Sequence, residues 1–171
     1  MRHHVAVPVD DSFRIRTASA EDMPTVARVL GPDLADFYRR RLDCGGVVLA
    51  SWRADELVGA IYVSWDPADE PVICAQLPGV PLLYRLLVRE DLRKHGIATG
   101  LVRASETLLR SSGFTQIAVG VDPDNYQAIR LYDRLGYAES PLGEIATFQE
   151  RYDDGELTTV PDRCLVYVKR L

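Results

Sequence analysis

Cysteine is scarce in this chain: there are three in 171 residues, Cys44, Cys74 and Cys164, an odd number at wide spacing. None forms a CxxC pair with a matching set of ligands, so neither a disulfide framework nor a zinc site is indicated. Each reads as a small, partly buried hydrophobe, and no metal is expected. Long apolar runs are missing too. Nothing approaches the roughly 18 consecutive apolar residues of a membrane span, and the start, MRHHVAVPVDDSF, has no leader-like apolar core. The expectation is a soluble, cytoplasmic protein with no membrane partner, in which His3 and His4 belong to a solvated tail. Net positive charge is also absent, the formal charge being −5. Coating a nucleic acid takes clustered Lys and Arg that displace counterions. No nucleic-acid partner is therefore expected, whereas an acidic chain suits a cationic small molecule. There is no internal repeat, no GxxxxGK[ST] and no GxGxxG, which excludes a P-loop and a dinucleotide fingerprint.

What is present is a composition 47% hydrophobic, enough for one domain with a sizeable core. Residues 1–12 read as a flexible N-terminal tail and residues 13–171 as the domain. FRIRTAS alternates like a strand. Ser19 precedes AEDMPTVARVL with Asp22 three residues on, a variant of the capping box. Gly31-Pro32 breaks this helix, and DLADFYRRRL reads as a second one. VVLASWR and LVGAIYVSW, joined by ADE, predict a hairpin. DPADEPVICAQLPGVP, with four prolines, reads as irregular with VICA as a short strand piece. LLYRLLVRE is the next strand. Apolar residues at Ile97, Leu101, Ala104 and Leu108 predict a helix to about Ser112, capped by Gly113. TQIAVGV is a strand, and DPDN opens a helix that Gly136 closes. IATFQERY and RCLVYVKRL read as antiparallel closing strands around DDGE. The order β-α-α-β-β-β-α-β-α-β-β is an α/β chain on a single mixed central sheet. The strand–helix–strand unit from Leu82 to Val121 makes its two strands parallel, at least at their starts.

One junction asks for chemistry. RKHGIATG, Arg93 to Gly100, lies between a strand and a helix. The first turn of a helix leaves backbone N–H groups without partners, and the dipole adds positive potential there, so phosphates bind such ends. Gly96 lets a ligand approach the main chain, and Ala98 and Gly100 extend that low wall. Arg93 adds a forked cation and Lys94 a point charge. The stretch suits a di-anion such as a pyrophosphate. The competing reading is a solvated turn that happens to hold a glycine.

LLVREDLRKHGIATGLV is similar to motif A of the GCN5-related N-acetyltransferases, [RQ]-x-x-G-x-[GA], here Arg93-x-x-Gly96-x-Ala98. Downstream, VDPDNYQAIRLYDRLGY resembles that family's pattern of an Asn opening a helix, then LY, then LG[FY]. Together the motifs run from Leu83 to Tyr137, near a third of the chain. The resemblance implies a GNAT-like acyl-CoA-binding fold and an acetyl-CoA-dependent N-acetyltransferase with no metal. It implies that acetyl passes, by direct attack, to a primary amine of a small molecule or peptide. On this reading the coenzyme A pyrophosphate sits on Arg93, Lys94, His95, Gly96, Ile97, Ala98 and Thr99, largely through backbone N–H. Leu86, Leu87 and Val88 pair with the pantetheine arm where the sheet splays, and the Val88 N–H also serves the tetrahedral intermediate. Asn125 bonds the pantetheine chain, caps its helix, or does both.

Tyr132 shares a stripe with Ala128, Leu131 and Leu135, which by spacing alone makes it a core aromatic. The resemblance makes it the proton donor to the leaving thiolate, since a phenol with pKa near 10 is protonated where a thiol near 8.5 is leaving. The general base is open among Tyr84, Glu90, Asp91 and Glu150. The family's acceptor site is formed by the first two helices and the late hairpin. That gives Asp33, Asp36, Glu144, Glu150, Asp153, Asp154 and Glu156, with Asp66, Asp69 and Glu70, as an acidic rim for a cationic amine. The closing strand RCLVYVKRL suits a homodimer. Alternatives are a non-catalytic acyl-CoA sensor, or an enzyme acting on a protein N-terminus or charged tRNA. For the last, Arg39–Arg41 is the only basic cluster, and it reads as a solvated helix face.

Overall fold

An unbroken apolar run such as residues 57–63 belongs to a strand covered on both faces. In the computed structural model, which describes residues 7–9, 13–153 and 156–171, that run is the middle of β4 (Glu56–Ser64). Its side chains alternate. Leu57, Ala60 and Tyr62 pack with Met23, Val26 and Tyr38, whereas Val58, Ile61 and Val63 pack with Leu101 and Val102. The other strands are β1 (Val7–Val9), β2 (Phe13–Thr17), β3 (Gly46–Arg53), β5 (Leu82–Val88), β6 (Gln116–Val121), β7 (Ala138–Asp153) and β8 (Glu156–Arg170). They form one sheet in the order β1-β2-β3-β4-β5-β6-β8-β7. Among the described residues only β5 and β6 pair in parallel.

Helices α1 (Met23–Leu30) and α2 (Pro32–Arg41) cover one face, and α4 (Ile97–Ser111) and α5 (Tyr126–Arg134) the other. Gly113 and Gly136 take left-handed φ of 88° and 87° just past α4 and α5, as the sequence predicts for helix terminators. The single mixed sheet matches the expectation, and β1 and α3 are added to the expected order of elements. Buried Glu106 on α4 receives both bonds of Lys169 Nζ at 2.9 Å, which fastens that helix to β8.

Two segments differ from the sequence reading. Val7–Val9, read as part of a tail, pairs antiparallel with Phe13–Ile15; His3 and His4 lie outside the described residues. The proline-rich stretch is not irregular with a strand piece: it forms the helix α3 (Pro71–Gln76). Pro71 sits in the first turn, where a missing N–H costs nothing. The other three prolines flank the helix rather than interrupt it. Ile73 is buried with Leu82, Ala118, Ile145 and Val166, and that burial decides the conformation. Among the described residues no helix is long and apolar enough to cross a membrane, and no cluster of His, Cys, Asp and Glu could hold a metal ion.

Candidate active site

The parallel pair β5–β6 is short. Register holds for Leu82 with Ala118 and Leu83 with Val119, and then stops, although β5 continues to Val88 and β6 to Val121. The cause lies on the other edge of β5. Between the pairs Ala60–Leu87 and Tyr62–Tyr84, β5 holds one more residue than β4. Arg85 carries that bulge with a left-handed φ of 51°. A bulge bends and twists its strand, so the second half of β5 swings away from β6. The gap is a cleft of about 680 Å³, walled by Leu86 and Leu87 of β5, Val121 of β6, and Asn125 and Tyr132 at α5. Its volume is in the range of small-molecule sites.

Val88 ends the gap. Arg89 N donates to Val58 O at 2.9 Å, and bonding direction alternates along an antiparallel pair. The Val88 N–H and C=O, opposite Gly59, therefore point away from β4 and towards the opening. Arg93 Nε reaches Val88 O at 3.5 Å and ties the following turn to the strand end. Gly59 makes this geometry feasible: a Cβ there would meet Leu87 O at 3.0 Å, Val88 Cγ2 at 3.2 Å and Ile97 Cγ2 at 3.3 Å. The sequence reading missed Gly59. The available signal was a lone glycine inside a strand pattern, which marks close backbone approach.

At the start of α4, Lys94 and Gly96 both have positive φ, 66° and 80°. The first helical bond is Gly100 N to Gly96 O at 2.9 Å. Among the described residues, no backbone acceptor outside the helix takes the amides of Gly96 through Thr99. A Cβ on Gly96 would meet nothing within 4 Å, so the space above it is open. Unpaired amides in left-handed turns at a helix N-terminus form an anion nest. His95 is exposed, with Nδ1 2.9 Å from Arg93 O, and behaves as a solvated turn residue. Ile97 is buried in the core, so only its amide faces outward. The residues singled out in the sequence thus fall into two groups. Leu86, Leu87, Asn125 and Tyr132 line the cleft, and Arg93–Thr99 lie beyond its Val88 end.

Asn125 Oδ1 accepts from Ala128 N at 3.1 Å, capping α5 and leaving its NH2 for the cleft. Tyr132 is 3% exposed and packs edge-on against Tyr137 with ring centroids 5.2 Å apart. It is a core aromatic and a cleft residue at once. Its hydroxyl bonds no described residue, and burial raises its pKa, so it stays a phenol. Cys164 also lines the cleft, and burial pushes its thiol up to about 11.

The opposite wall comes from α2, the turn before α3, β5 and β7. Of Arg39–Arg41, Arg39 is solvated as expected, but Arg40 and Arg41 are not. Arg39 pairs with Asp36, while Arg40 Nη2 and Arg41 Nη1 reach Glu150 Oε2 at 3.0 Å and 3.4 Å. The run ends α2 against β7, and that carboxylate draws it in. Of the acids read as a rim, Asp36, Glu144 and Glu150 are in ion pairs, and Asp66 accepts from Gly45 N at 2.8 Å. Asp33, Asp69 and Glu70 line the cleft without a salt bridge among the described residues, and Glu70 accepts from the Thr147 hydroxyl. Asp154 lies outside the described residues. Of the base candidates, Tyr84 and Glu150 line the cleft, and burial raises the Tyr84 pKa. Glu90 and Asp91 do not line it; they sit in a 3-10 turn where Asp91 is held by Arg89 at 2.9 Å. Sequence reasoning missed Arg85 altogether.

The fold that carries this cleft is shared with solved N-acetyltransferases. The IAA acetyltransferase from Bacillus cereus ATCC 14579 matches with TM-score 0.63 at 16% identity, over 94% of this chain and 100% of that one. The ribosomal-protein-S18-alanine N-acetyltransferase from Escherichia coli matches with TM-score 0.66 at 13% identity, over 92% and 93%. A GNAT family acetyltransferase from Elizabethkingia anophelis, solved with acetyl-CoA bound, matches with TM-score 0.64 at 11% identity, over 95% and 100%. The chain itself belongs to the acetyltransferase (GNAT) family, whose sequence model matches residues 14–137. N-acetyltransferase family 8 member 2 from Rattus norvegicus is 30% identical over 115 residues, 67% of this chain. The chain spans about half, 49%, of that relative's length.

Proposed function

We propose that this chain transfers an acetyl group from acetyl-CoA to a primary amine of a small molecule or peptide by direct attack. The observation that carries this is the opening between β5 and β6 after Leu83 and Val119, with the Val88 N–H and Tyr132 facing it. The amides of Arg93–Thr99 hold the pyrophosphate. The free edge of Leu86–Val88 takes the pantetheine arm as an added strand would, and the Asn125 NH2 adds a bond. This puts the thioester beside Val88.

The amine nitrogen attacks the thioester carbon, forming a C–N bond, and the Val88 N–H stabilises the oxyanion. The C–S bond then breaks, the electron pair leaves on sulfur, and Tyr132 donates a hydrogen bond to the thiolate. Full proton transfer from a buried phenol to a thiolate is uphill, because the phenol's pKa near 10 or above exceeds the thiol's of about 8.5. Tyr132 therefore acts as a hydrogen-bond donor, the nitrogen gives up its extra proton to water as the amide forms, and the departing thiolate is protonated from water.

An alkyl ammonium is neutral in only about one molecule in a thousand at pH 7, so its proton must be accepted before attack. Glu150 is already engaged by two arginines. Asp69 and Glu70 draw in the ammonium and take its proton through water. Direct attack fits Cys164 too, because burial pushes its thiol up to about 11 and so disfavours the nucleophilic thiolate.

The test is free-thiol release from acetyl-CoA across an amine panel, with thermal shift alongside. Acetyl-CoA should raise the melting temperature. Tyr132→Phe should keep that shift and lose turnover. A full shift with no release for any amine would instead make the chain an acyl-CoA sensor.

A further inference from the structure

We propose that the acceptor is an amine that also carries a carboxylate, as an amino acid does, and that Arg85 with Arg41 grips that carboxylate. This rests on the acetyl-transfer reading above and names the substrate class of the same cleft.

Arg85 is the bulge residue of β5, three residues before Val88. Its main chain is pinned: Tyr38, fully buried, donates its hydroxyl to Arg85 O at 2.6 Å. The half-buried side chain lies on the cleft wall, its guanidinium 5.2 Å from the Phe37 ring centroid. One of its donors reaches Glu150 O at 3.2 Å. A guanidinium has five N–H donors. Among the described residues Arg85 has no salt bridge and no second hydrogen bond. Arg41 lies over the same ring at 3.9 Å, and its one bond is to Glu150 Oε2 at 3.4 Å. Arg40 takes that same oxygen at 3.0 Å. Arg40 and Arg41 thus share one carboxylate oxygen of Glu150, while Arg85 reaches only that residue's main-chain carbonyl. Asp162 acts on Arg85 only through longer-range attraction. Burial and the nearby Arg41 lower the Arg85 pKa from its ordinary value, a direction that a bound anion would reverse.

A partly desolvated arginine with spare donors is matched by a planar anion, and a carboxylate meets its fork with two parallel bonds. Phosphate would also meet the fork, but a dianion beside Asp69 and Glu70 is disfavoured, whereas a zwitterion is matched at both ends. Asp69 and Glu70 line the cleft without a cationic partner among the described residues, so they face the ammonium. The same arginines repel a polyamine. The cleft therefore sorts amines by what else they carry.

The experiment is steady-state thiol release from acetyl-CoA with matched sets: an α- or ω-amino acid, its carboxamide, and the amine with hydrogen in place of the carboxyl group. At least one amino acid should exceed both of its partners in kcat/KM by about tenfold or more, the size of a charge-assisted pair. Arg85→Gln should raise KM for that amino acid by about 10- to 100-fold and for its carboxamide far less, collapsing the preference. KM for acetyl-CoA should stay put. Arg41→Gln should do the same to a smaller degree, and it serves if Arg85→Gln fails to give the acetyl-CoA thermal shift that marks a folded protein. Carboxylate-free amines turned over as well as or better than the acids in every set would overturn the inference and leave acetyl transfer standing. So would an Arg85→Gln loss equal for all three members of a set. No release with any amine would remove both readings together.

Discussion

The two walls of the cleft are built from different material. The wall proposed to hold the donor is main chain: the unpaired amides of residues 96–99, the free edge of β5, and a helix start capped by Asn125. Side-chain identity matters there at few positions, chiefly Gly59, Gly96 and Tyr132. The acceptor wall is side chain: Phe37, Arg41, Glu70, Arg85, Thr147 and Glu150, drawn from four separate segments and held by charge pairs. A wall of backbone amides binds a constant group such as a pyrophosphate and is hard to vary. A wall of paired side chains can be re-lettered without touching the fold. The contrast separates what is general in this cleft from what selects.

The sharpest way to break that contrast is Tyr132→Phe, which removes the one chemical side chain of the donor wall. It should lower kcat about 100-fold or more while KM for acetyl-CoA stays within about twofold. A retained kcat would move the hydrogen-bond-donating role elsewhere. Gly59→Ala comes next. Its Cβ would press on Leu87 O at 3.0 Å, a backbone atom that cannot turn aside. Overpacking of this kind costs about 1–3 kcal/mol and should shift Val88, raising KM for acetyl-CoA as well as lowering the denaturation midpoint. Gly96→Ala is milder, because nothing lies within 4 Å of the new Cβ and only the left-handed φ of 80° is strained. That strain is worth about 1–2 kcal/mol, and calorimetry should find acetyl-CoA binding weakened.

On the other wall, Glu150→Gln should leave acetyl-CoA affinity unchanged and alter KM for the amine. Its pairs with Arg40 and Arg41 are partly solvent-exposed, so the stability loss should be at most about 1 kcal/mol, a drop of about 2–4 °C in Tm. A lost affinity for acetyl-CoA in this variant would mean the walls are not independent. The smallest effect is in pH. Burial raises the pKa of Tyr38, Tyr84, Tyr132 and Tyr137 in the folded chain. Such groups favour the folded state fully below the unfolded value near 10, and that contribution is lost as pH rises through the higher folded values. Tyrosinate absorbance should therefore lag behind free tyrosine above pH 10 and appear together with unfolding. Ionisation of all eight tyrosines near pH 10 in a still-folded protein would remove the burial argument for Tyr132.

How much of this was legible follows the same division. The anion nest was readable because its parts are neighbours: a strand end, two basic residues, Gly96 and a helix start all fall within RKHGIATG. Asn125 as a cap and Tyr132 on an inward stripe were readable for the same reason. Arg40 and Arg41 were misread as solvated because their partner Glu150 is 110 and 109 residues away. The helix α3 was misread because proline density hid a segment whose conformation is decided by burying Ile73 under β6, β7 and β8.

The sequence by itself determined the strand and helix order apart from β1 and α3, the helix terminators Gly113 and Gly136, and a phosphate-ready helix start. These depend on periodicity and on backbone groups that must find partners within a few residues. The family resemblance anticipated a splay beside Val88. The tertiary structure alone decided that β5 parts from β6 after Leu83, that a bulge at Arg85 lies opposite the gap, and that Arg85 stands with spare donors on the far wall. The bulge exists only when β4 and β5 are paired, and a charge is matched or unmatched only when distant segments meet.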